Sequence, residues 1–245
     1  MRRIYLSNYQ KKDKHILIFG KDFHYLKNIL RLKKNSQFKA FDGNKSEYLL
    51  QIEKIQSFIK ARILEIAHPI QKKPAISIEF CPCLCKMKVF ESMIEKASEL
   101  GVVAIKPIIT SRSLHINPEQ SSSRIERWEK IIAEGRKISG EIKIPEIYPV
   151  KTLDKILLQP GLNIFFWEQS PKNLKQIMPL IKQQLRDKKI IKIFIGPEGG
   201  FTDEEVELAE KNHSFIAGLG QRILRVETAA IAAISILSYQ LDDDG

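Results

Sequence analysis

The chain has 245 residues, of which 43% are hydrophobic and 28% are charged, with 40 Lys+Arg against 29 Asp+Glu. This composition excludes a disordered tail and a coiled coil, and the length allows one large domain or two modest ones. Three cysteines between Cys81 and Cys85 exclude a disulfide framework. Neither a secretory leader nor a membrane-length apolar run is visible, so we expect a cytoplasmic protein that does not enter a membrane.

The excess positive charge lies in the first third of the chain. Residues 1–73 hold 17 Lys+Arg and 6 Asp+Glu, a net charge of +11, whereas residues 74–245 hold 23 of each. A concentrated positive field attracts polyanions through counterion release. The asymmetry therefore favours nucleic-acid binding, with a solvated lysine-rich surface as the alternative.

The first third predicts a small β-rich barrel with one helix. Short apolar segments between turn-forming residues predict strands at 15–19, 38–43, 46–55 and 60–67. Residues 22–33 predict a helix whose apolar side holds Phe23, Leu26, Ile29 and Leu30. Its other side, with His24, Lys27, Asn28 and Arg31, suits either phosphate contacts or solvent. Prolines at 69 and 74 then predict a domain boundary near residue 73.

From Pro74 onwards, strands and helices alternate. Predicted strands cover 75–84, 102–109, 162–167, 189–195 and 214–219, and predicted helices cover 89–100, 122–137, 174–185, 204–212 and 227–241. This alternation predicts a parallel sheet covered on both faces. Because ligands of such sheets bind beyond the carboxyl ends of the strands, we expect the chemistry in the strand-to-helix loops.

The first informative loop follows the predicted strand 189–195. It reads Gly-Pro-Glu-Gly-Gly-Phe-Thr-Asp-Glu-Glu over 196–205, and Thr202 and Glu205 have the spacing of a capping box. The Gly-Lys-Ser/Thr ending of a phosphate loop is missing, and three acids in the first helical turn oppose a phosphate there. A neutral or cationic ligand fits better, and a tight turn without a ligand is the alternative.

The second informative loop follows the predicted strand 214–219. It reads Leu-Gly-Gln-Arg-Ile-Leu-Arg-Val-Glu-Thr-Ala over 219–229, so Arg222 and Arg225 precede an alanine-rich helix. Arginines beside a ligand loop can stabilise negative charge that develops in a transition state. A surface ion pair, for instance Arg225 with Glu227, is the alternative. The small residues of the helix also suit close approach of a second copy.

Together the two loops resemble the motifs of the ribosomal RNA small subunit methyltransferase E family, which belongs to the SPOUT superfamily of knotted methyltransferases. The resemblance covers almost the whole chain. It extends to His24–Leu32 followed by Phe41-Asp42-Gly43, to Lys86–Val102, to Thr110–Ser113 and to Arg127–Ile131.

The resemblance implies a fold, a reaction and a set of partners. The fold is α/β, with a small N-terminal PUA-like β-barrel that binds RNA over 1–73 and a C-terminal SPOUT-type parallel α/β domain with a trefoil knot over 74–245. The reaction is S-adenosylmethionine-dependent methylation of N3 of a specific uridine in small-subunit (16S) ribosomal RNA, without a metal. The partners are the 30S subunit and a second copy, in a homodimer whose interface holds the active site.

The resemblance also implies roles for individual residues. The catalytic residues are Arg222 and Arg225. The residues that bind the cofactor are Phe166, Glu168, Ile195, Gly196, Pro197, Glu198, Gly199, Gly200, Leu219, Gly220, Ile223 and Leu224. The residues that bind RNA are Arg3, His24, Arg31, Lys86, Arg112 and Ser139.

One segment departs from the family. Where the family has Glu-Gln-Ser-Gly-Arg before an Ile/Val-Pro pair, this chain has Lys137-Ile138-Ser139-Gly140-Glu141 before Ile144-Pro145. Three polar or charged positions are changed, so we expect retained methyltransferase activity with altered RNA contacts. The competing hypotheses are a non-catalytic RNA-binding protein of ribosome assembly, a related methyltransferase with another RNA target, and a nucleotide-dependent enzyme.

Two further patterns have two interpretations each. Cys81, Cys83 and Cys85 alternate along a predicted strand, which would hold their thiols about 6–7 Å apart, a poor spacing for one zinc ion. We therefore expect buried small hydrophobic residues. Trp167, Glu168 and Gln169 end another strand, where they either line the cofactor pocket or, for Trp167, pack in the core.

Overall fold

The computed structural model of the chain describes residues 3–42, 46–67, 76–114, 118–139, 144–185 and 189–241; the side chains of residues 3, 118–123 and 137–139 lie outside this description. The chain divides into two compact units. The first is Met1–Lys72 with Gly140–Ile144, and the second is Lys73–Ser139 with Pro145–Gly245. The boundary predicted near residue 73 falls outside the described residues and stays a prediction.

The first unit is built on a six-stranded mixed sheet. Its strands are β1 (Arg3–Tyr5), β2 (Tyr9–Lys12), β3 (His15–Ile18), β4 (Gln37–Phe41), β5 (Glu47–Ile55) and β6 (Ile59–Ala67). They lie in the order β1-β4-β5-β6-β3-β2, with β1 parallel to β4 and the other neighbours antiparallel. Irregularities in the β5–β6 register allow the sheet to curl. The predicted β-rich unit is confirmed, and β1 and β2 are additional to the predicted strands.

The helix predicted over 22–33 is wrong in length and in one buried position. The structure has α1 (Gly20–His24) followed directly by a π-helical turn (Tyr25–Ile29). A π-helical turn holds more residues than an α-helical turn, so the 3.6-residue periodicity does not continue through it. Leu26 is buried as predicted, whereas Ile29 is 68% exposed.

The second unit is a parallel sheet with helices packed on it. Its strands are β7 (Ser77–Pro82), β8 (Ala104–Ile105), β9 (Ile108–Ile109), β10 (Glu146–Ile147), β11 (Lys151–Thr152), β12 (Leu162–Phe166), β13 (Ile190–Ile195) and β14 (Phe215–Ala217). Its helices are α2 (Met87–Glu99), α3 (Pro118–Ser139), α4 (Leu153–Leu157), α5 (Leu174–Gln184), α6 (Asp203–Lys211) and α7 (Val226–Leu241). The main sheet has the order β10-β8-β7-β13-β12-β14, and β9 and β11 form a separate pair.

The strand order confirms the predicted fold class, a small β-rich unit followed by a parallel α/β unit. The elements β10, β11 and α4 are additional to the predicted ones. The strand predicted over 102–109 is two short strands, β8 and β9, in different sheets. Pro107 separates them, because proline has no N–H for a ladder bond. The trefoil knot stays a prediction. Within the described ranges, no helix is both long and apolar enough to span a bilayer.

Strand β13 is fixed in the second unit by a buried cation. Lys192 is fully buried, and its Nζ donates hydrogen bonds to the carbonyl oxygens of Ile156 at 2.9 Å and Gln159 at 2.6 Å. These carbonyls lie in the last turn of α4 and just after its end, and the Ile156 oxygen also accepts from Gln159 N at 3.2 Å. The lysine therefore joins the strand that leads into the glycine-rich loop to the neighbouring helix.

Candidate active site

Three loops meet at one edge of the second unit's sheet. They follow β12, β13 and β14, which are adjacent and parallel, with β12 in the middle. Backbone hydrogen bonds join the first loop to the third: Trp167 N donates to Ala217 O at 3.0 Å, and Gly218 N donates to Lys172 O at 2.8 Å. The loops predicted to carry the chemistry thus lie together, as expected for the carboxyl ends of parallel strands.

The loop after β13 is folded tightly on itself. Gly200 N donates to Pro197 O at 2.9 Å, and a Cβ on Gly196 would lie 3.2 Å from the carbonyl carbon of Gly200. Gly200 has a φ of 69°, and a Cβ there would lie 2.6 Å from Oε1 of Glu168. Glycine is therefore needed at position 200 both for its backbone conformation and for the close approach of Glu168.

The predicted capping box at the start of α6 is confirmed. Thr202 Oγ1 accepts from Glu205 N at 3.3 Å, and Thr202 N donates to Oε2 of Glu205 at 3.0 Å. The other oxygen of this buried carboxylate accepts from Ser111 N at 2.7 Å. Hydrogen bonds from its own N–H and from Thr202 lower the pKa of Glu204. Carboxylates thus already occupy the positive end of the helix, which disfavours a phosphate there.

Acidic side chains from the glycine-rich loop and from the first turn of α7 act on the thiol of Cys85. Burial raises the pKa of this thiol to about 12, with further contributions from the carboxylates of Glu198 and Glu227. Glu198 also accepts a hydrogen bond from Lys86 N at 3.3 Å. Both carboxylates therefore act on the same thiol, and negative charge in this region suits a cationic ligand.

The three cysteines are buried, as predicted. Their exposures are 0% for Cys81, 0% for Cys83 and 1% for Cys85, and burial raises the pKa of all three thiols. Cys81 lies in β7, and Cys83 continues its pairing just beyond the strand, with a bridge to Ile108 and a hydrogen bond from its N to Ile195 O at 2.9 Å. These two cysteines belong to the same core cluster, as the alternation predicts, whereas Cys85 lies past the end of the paired segment. In the described part of the chain, no cluster of His, Cys, Asp or Glu has the arrangement of a metal site.

Two clefts border the loops. One of about 310 Å³ is lined by Glu168, Ser170, Pro171, Asn173, Gly218, Gly220 and Gln221. The other, of about 720 Å³, shares Asn173, Gly218 and Gly220 with it and continues along α5 and α7 past Leu219 and Ile236. Of the predicted cofactor residues, Glu168, Leu219 and Gly220 line these clefts, whereas Phe166 and Ile195 are buried at the ends of their strands.

Sequence reasoning missed Ser170, Asn173 and Gly218. Asn173 could have been found from the sequence, because it and Gln176, three residues further on, form the capping box of α5. Trp167 is partly buried against the core cluster that includes Phe165 and Phe201, which supports the core-packing interpretation. It does not line either of the two clefts.

The loop after β14 is largely exposed. Ile223 is 86% exposed and is flanked by the exposed side chains of Arg222 and Arg225. Arg225 O accepts from Ala229 N at 2.8 Å and so begins α7. Residues 222–227 all lie in the described part of the chain, and no ion pair joins Arg225 to Glu227 there. The example pair of Arg225 with Glu227 is therefore absent, whereas the wider alternative of surface ion pairs for the two arginines stays open.

The predicted RNA-binding residues lie in both units. His24 and Arg31 are exposed in the first unit, where Nδ1 of His24 lies 3.3 Å from Nδ2 of Asn28. Lys86 and Arg112 are exposed in the second unit. The side chains of Arg3 and Ser139 lie outside the description, as do all the side chains of the segment 137–141 that departs from the family.

The comparisons with known proteins agree on one family. An RNA methyltransferase domain model matches residues 71–238, and an RNA methyltransferase PUA domain model matches residues 20–66. The chain is 32% identical to ribosomal RNA small subunit methyltransferase E of Rickettsia conorii, over 95% of this chain and 93% of that protein. It is 26% identical to the protein of the same name from Bacillus subtilis, over 92% and 90%.

A solved structure gives the same result. The chain superimposes on ribosomal RNA small subunit methyltransferase E from Neisseria gonorrhoeae, solved bound to S-adenosyl methionine, with a TM-score of 0.84, 25% identity and full coverage of both chains. The fold, both domain models and relatives that span nearly the whole chain agree with the motifs in the two loops. The chain belongs to the ribosomal RNA small subunit methyltransferase E family.

Proposed function

We propose that this protein transfers a methyl group from S-adenosylmethionine to N3 of one uridine in small-subunit ribosomal RNA. The observation that carries the proposal is the meeting of three family-type loops at the carboxyl edge of β12, β13 and β14. The relatives at 26% and 32% identity are named for the small-subunit RNA, and a structural relative was solved with S-adenosyl methionine.

The residues of these loops suit a sulfonium ligand. S-adenosylmethionine, when bound, supplies an electrophilic methyl group on a positively charged sulfur. Glu168 contacts the glycine-rich loop, and Glu198 lies near the start of α7. Their carboxylates favour a cation over a phosphate. This favours the methyltransferase over the nucleotide-dependent enzyme.

Arg222 and Arg225 supply the remaining chemistry. The N3 proton of uridine is lost to solvent, and the nitrogen takes the methyl group while the sulfur keeps the electron pair of the carbon–sulfur bond. Negative charge develops on the carbonyl oxygens beside N3 as the proton leaves, before the new carbon–nitrogen bond is complete, and a guanidinium placed there stabilises it. Both arginines are exposed on the loop after β14 and are accessible to a bound RNA. Holding the two reactants in line lowers the barrier further.

The active form that we propose is a homodimer on the 30S subunit. Helix α7 exposes apolar side chains: Ile231, Ile236 and Tyr239 are 38%, 42% and 81% exposed. A second copy on this face would bury them and bring its own surface to the exposed arginine loop. The basic first unit would hold the RNA.

Incubation with labelled S-adenosylmethionine and 30S subunits from cells that lack this protein tests the proposal. Label recovered in 3-methyluridine after nucleoside analysis is the expected result. Label in another nucleoside would mean that the target differs from the one implied by the family. Binding of S-adenosylmethionine and of 30S subunits without any transfer would favour the non-catalytic RNA-binding protein.

A further inference from the structure

The turn Thr110–Ser113 is held firmly beside the glycine-rich loop. Thr110 and Ser113 are buried. The hydroxyl of Ser113 accepts from Thr110 N at 2.9 Å and donates to Thr110 O at 2.9 Å. Ser111 N donates to the buried carboxylate of Glu205. The backbone that carries Arg112 is therefore fixed on both sides of this residue.

The side chain of Arg112 lies on the glycine-rich loop. Its Nη1 donates a hydrogen bond to the carbonyl oxygen of Gly199 at 2.7 Å. A Cβ on Gly199 would lie 3.2 Å from Cδ of Arg112, so a side chain there would press against the arginine. The left-handed φ of this loop is at Gly200, not at Gly199. A side chain at position 199 would therefore displace the arginine, whereas the backbone conformation there sets no requirement for glycine.

Arg112 restrains a part of the loop that the loop's own turn does not restrain. The bond from Gly200 N to Pro197 O closes the turn, but the carbonyl of Gly199 points to the arginine. A hydrogen bond from a charged donor is about twice as strong as one between neutral groups. Without it, the loop populates its binding conformation less often, and ligand affinity falls in the same proportion.

We propose that Arg112 is a positioning residue, which holds the Gly199 carbonyl and thereby the glycine-rich loop in the conformation that binds S-adenosylmethionine. This role replaces the RNA contact that the resemblance implies for Arg112. The inference rests on the proposed function, because it requires that this loop binds the cofactor.

Calorimetric titration with S-adenosylmethionine, beside a 30S binding assay, tests this role. We expect Arg112→Ala to raise the dissociation constant for S-adenosylmethionine about tenfold, the effect of losing one charge-assisted hydrogen bond. Affinity for 30S subunits should change much less. Since one guanidinium nitrogen makes the bond, Arg112→Lys should recover part of the loss. The matched control is Lys211→Ala on α6, which removes an exposed cation paired to Glu207 and should bind like wild type.

Other results would overturn the inference. Unchanged cofactor affinity in Arg112→Ala, with or without weakened 30S binding, would show that the arginine does not position the loop. A wild-type protein that binds no S-adenosylmethionine would instead refute the proposed function and would leave the contact between Arg112 and Gly199 intact.

A double-mutant cycle checks the contact itself. Gly199→Ala should weaken cofactor binding by displacing the arginine side chain. In the Arg112→Ala background the same substitution should add little, because both changes break one interaction. Losses that add in full would show that Gly199 and Arg112 act separately and would overturn the positioning role.

Discussion

The two units differ in the kind of feature on which the proposed function depends. In the first unit, the predicted RNA-binding residues His24 and Arg31 are exposed, one in α1 and one in the segment after the π-helical turn, and the sheet of this unit has mostly antiparallel neighbours. In the second unit, the candidate site depends on a few backbone groups and side chains held in fixed contacts, such as Glu168 against Gly200. The difference indicates that substitutions in the second unit should cause large, specific losses, whereas those in the first should cause small, salt-dependent ones.

The largest effect is expected from the arginines of the loop after β14. Arg222→Ala or Arg225→Ala should lower the methyl-transfer rate by about 10²–10³-fold for the arginine that stabilises the developing negative charge. Affinity for S-adenosylmethionine should be retained. Single-turnover transfer to 30S subunits, with saturating cofactor, measures the rate. If neither variant lowers it, the catalytic role of this loop is wrong.

A smaller loss is expected at the glycine-rich loop. Gly200→Ala places a side chain in a left-handed conformation and against Glu168, so the free energy of unfolding should fall by about 1–3 kcal/mol. Urea unfolding measures the change. In the Gly200→Ala background, the second substitution Glu168→Ala should restore the free energy of unfolding that is lost to the clash. It should not restore the free energy that is lost to the left-handed φ.

Gly218→Ala is the matched control for this substitution, because a Cβ there would meet its neighbours at an ordinary 3.8 Å. It should change the free energy of unfolding much less. If both substitutions lower the free energy of unfolding equally, position 200 does not require glycine more than position 218 does.

In the first unit the expected effect is modest and depends on salt. Arg31→Gln should weaken 30S binding and should lower the slope of log affinity against log salt concentration by about 1, because one phosphate contact is lost. A binding titration over a range of potassium chloride concentrations measures the slope. Lys211→Gln in the second unit should leave the slope unchanged. A loss that is independent of salt would indicate a structural role for Arg31.

The smallest effect concerns stability at high pH. Burial raises the pKa of the second unit's cysteines above the value of 9.0 for a free thiol. Above pH 9 the unfolded state loses protons that the folded state keeps, so stability should be full below pH 9 and should fall as the pH rises further. In the first unit, burial and the carboxylate of Asp42 raise the pKa of Tyr9 above its ordinary value of 10.0. The loss of stability that this tyrosine causes should therefore begin at a higher pH than the loss that the cysteines cause. Urea unfolding from pH 8 to 10.5 tests this order, and stability that rises over this range would contradict it.

The sequence pattern predicts the fold because each unit has a clear periodicity. Alternating residues in β5 and the buried run in β13 have the patterns of a half-exposed and a fully buried strand. The π-helical turn at Tyr25–Ile29 could not be predicted in this way, because it changes the number of residues per turn within one helix. Local spacing therefore misplaced Ile29.

The candidate site is predictable only where its signal is local. The capping box of Thr202 and Glu205 is a three-residue pattern, and the structure has it. The contact between Arg112 and Gly199 joins residues that are 87 positions apart, and the approach of Glu168 to Gly200 likewise depends on strand order. The second pair becomes visible only when β12 lies beside β13, and the first only when the turn after β9 lies beside the loop after β13.

The parallel pairing of β7 with β13 also affects how the chain folds as it is synthesised. In the first unit, β4, β5 and β6 are consecutive neighbours and can pair as soon as they leave the ribosome. Strand β7 must wait for β13, since Ser77 pairs with Ile190, and long-range pairing of this kind is slow. The sheet of the basic unit can therefore form while β7 still has an open edge, and an unpaired edge strand is a site where chains aggregate.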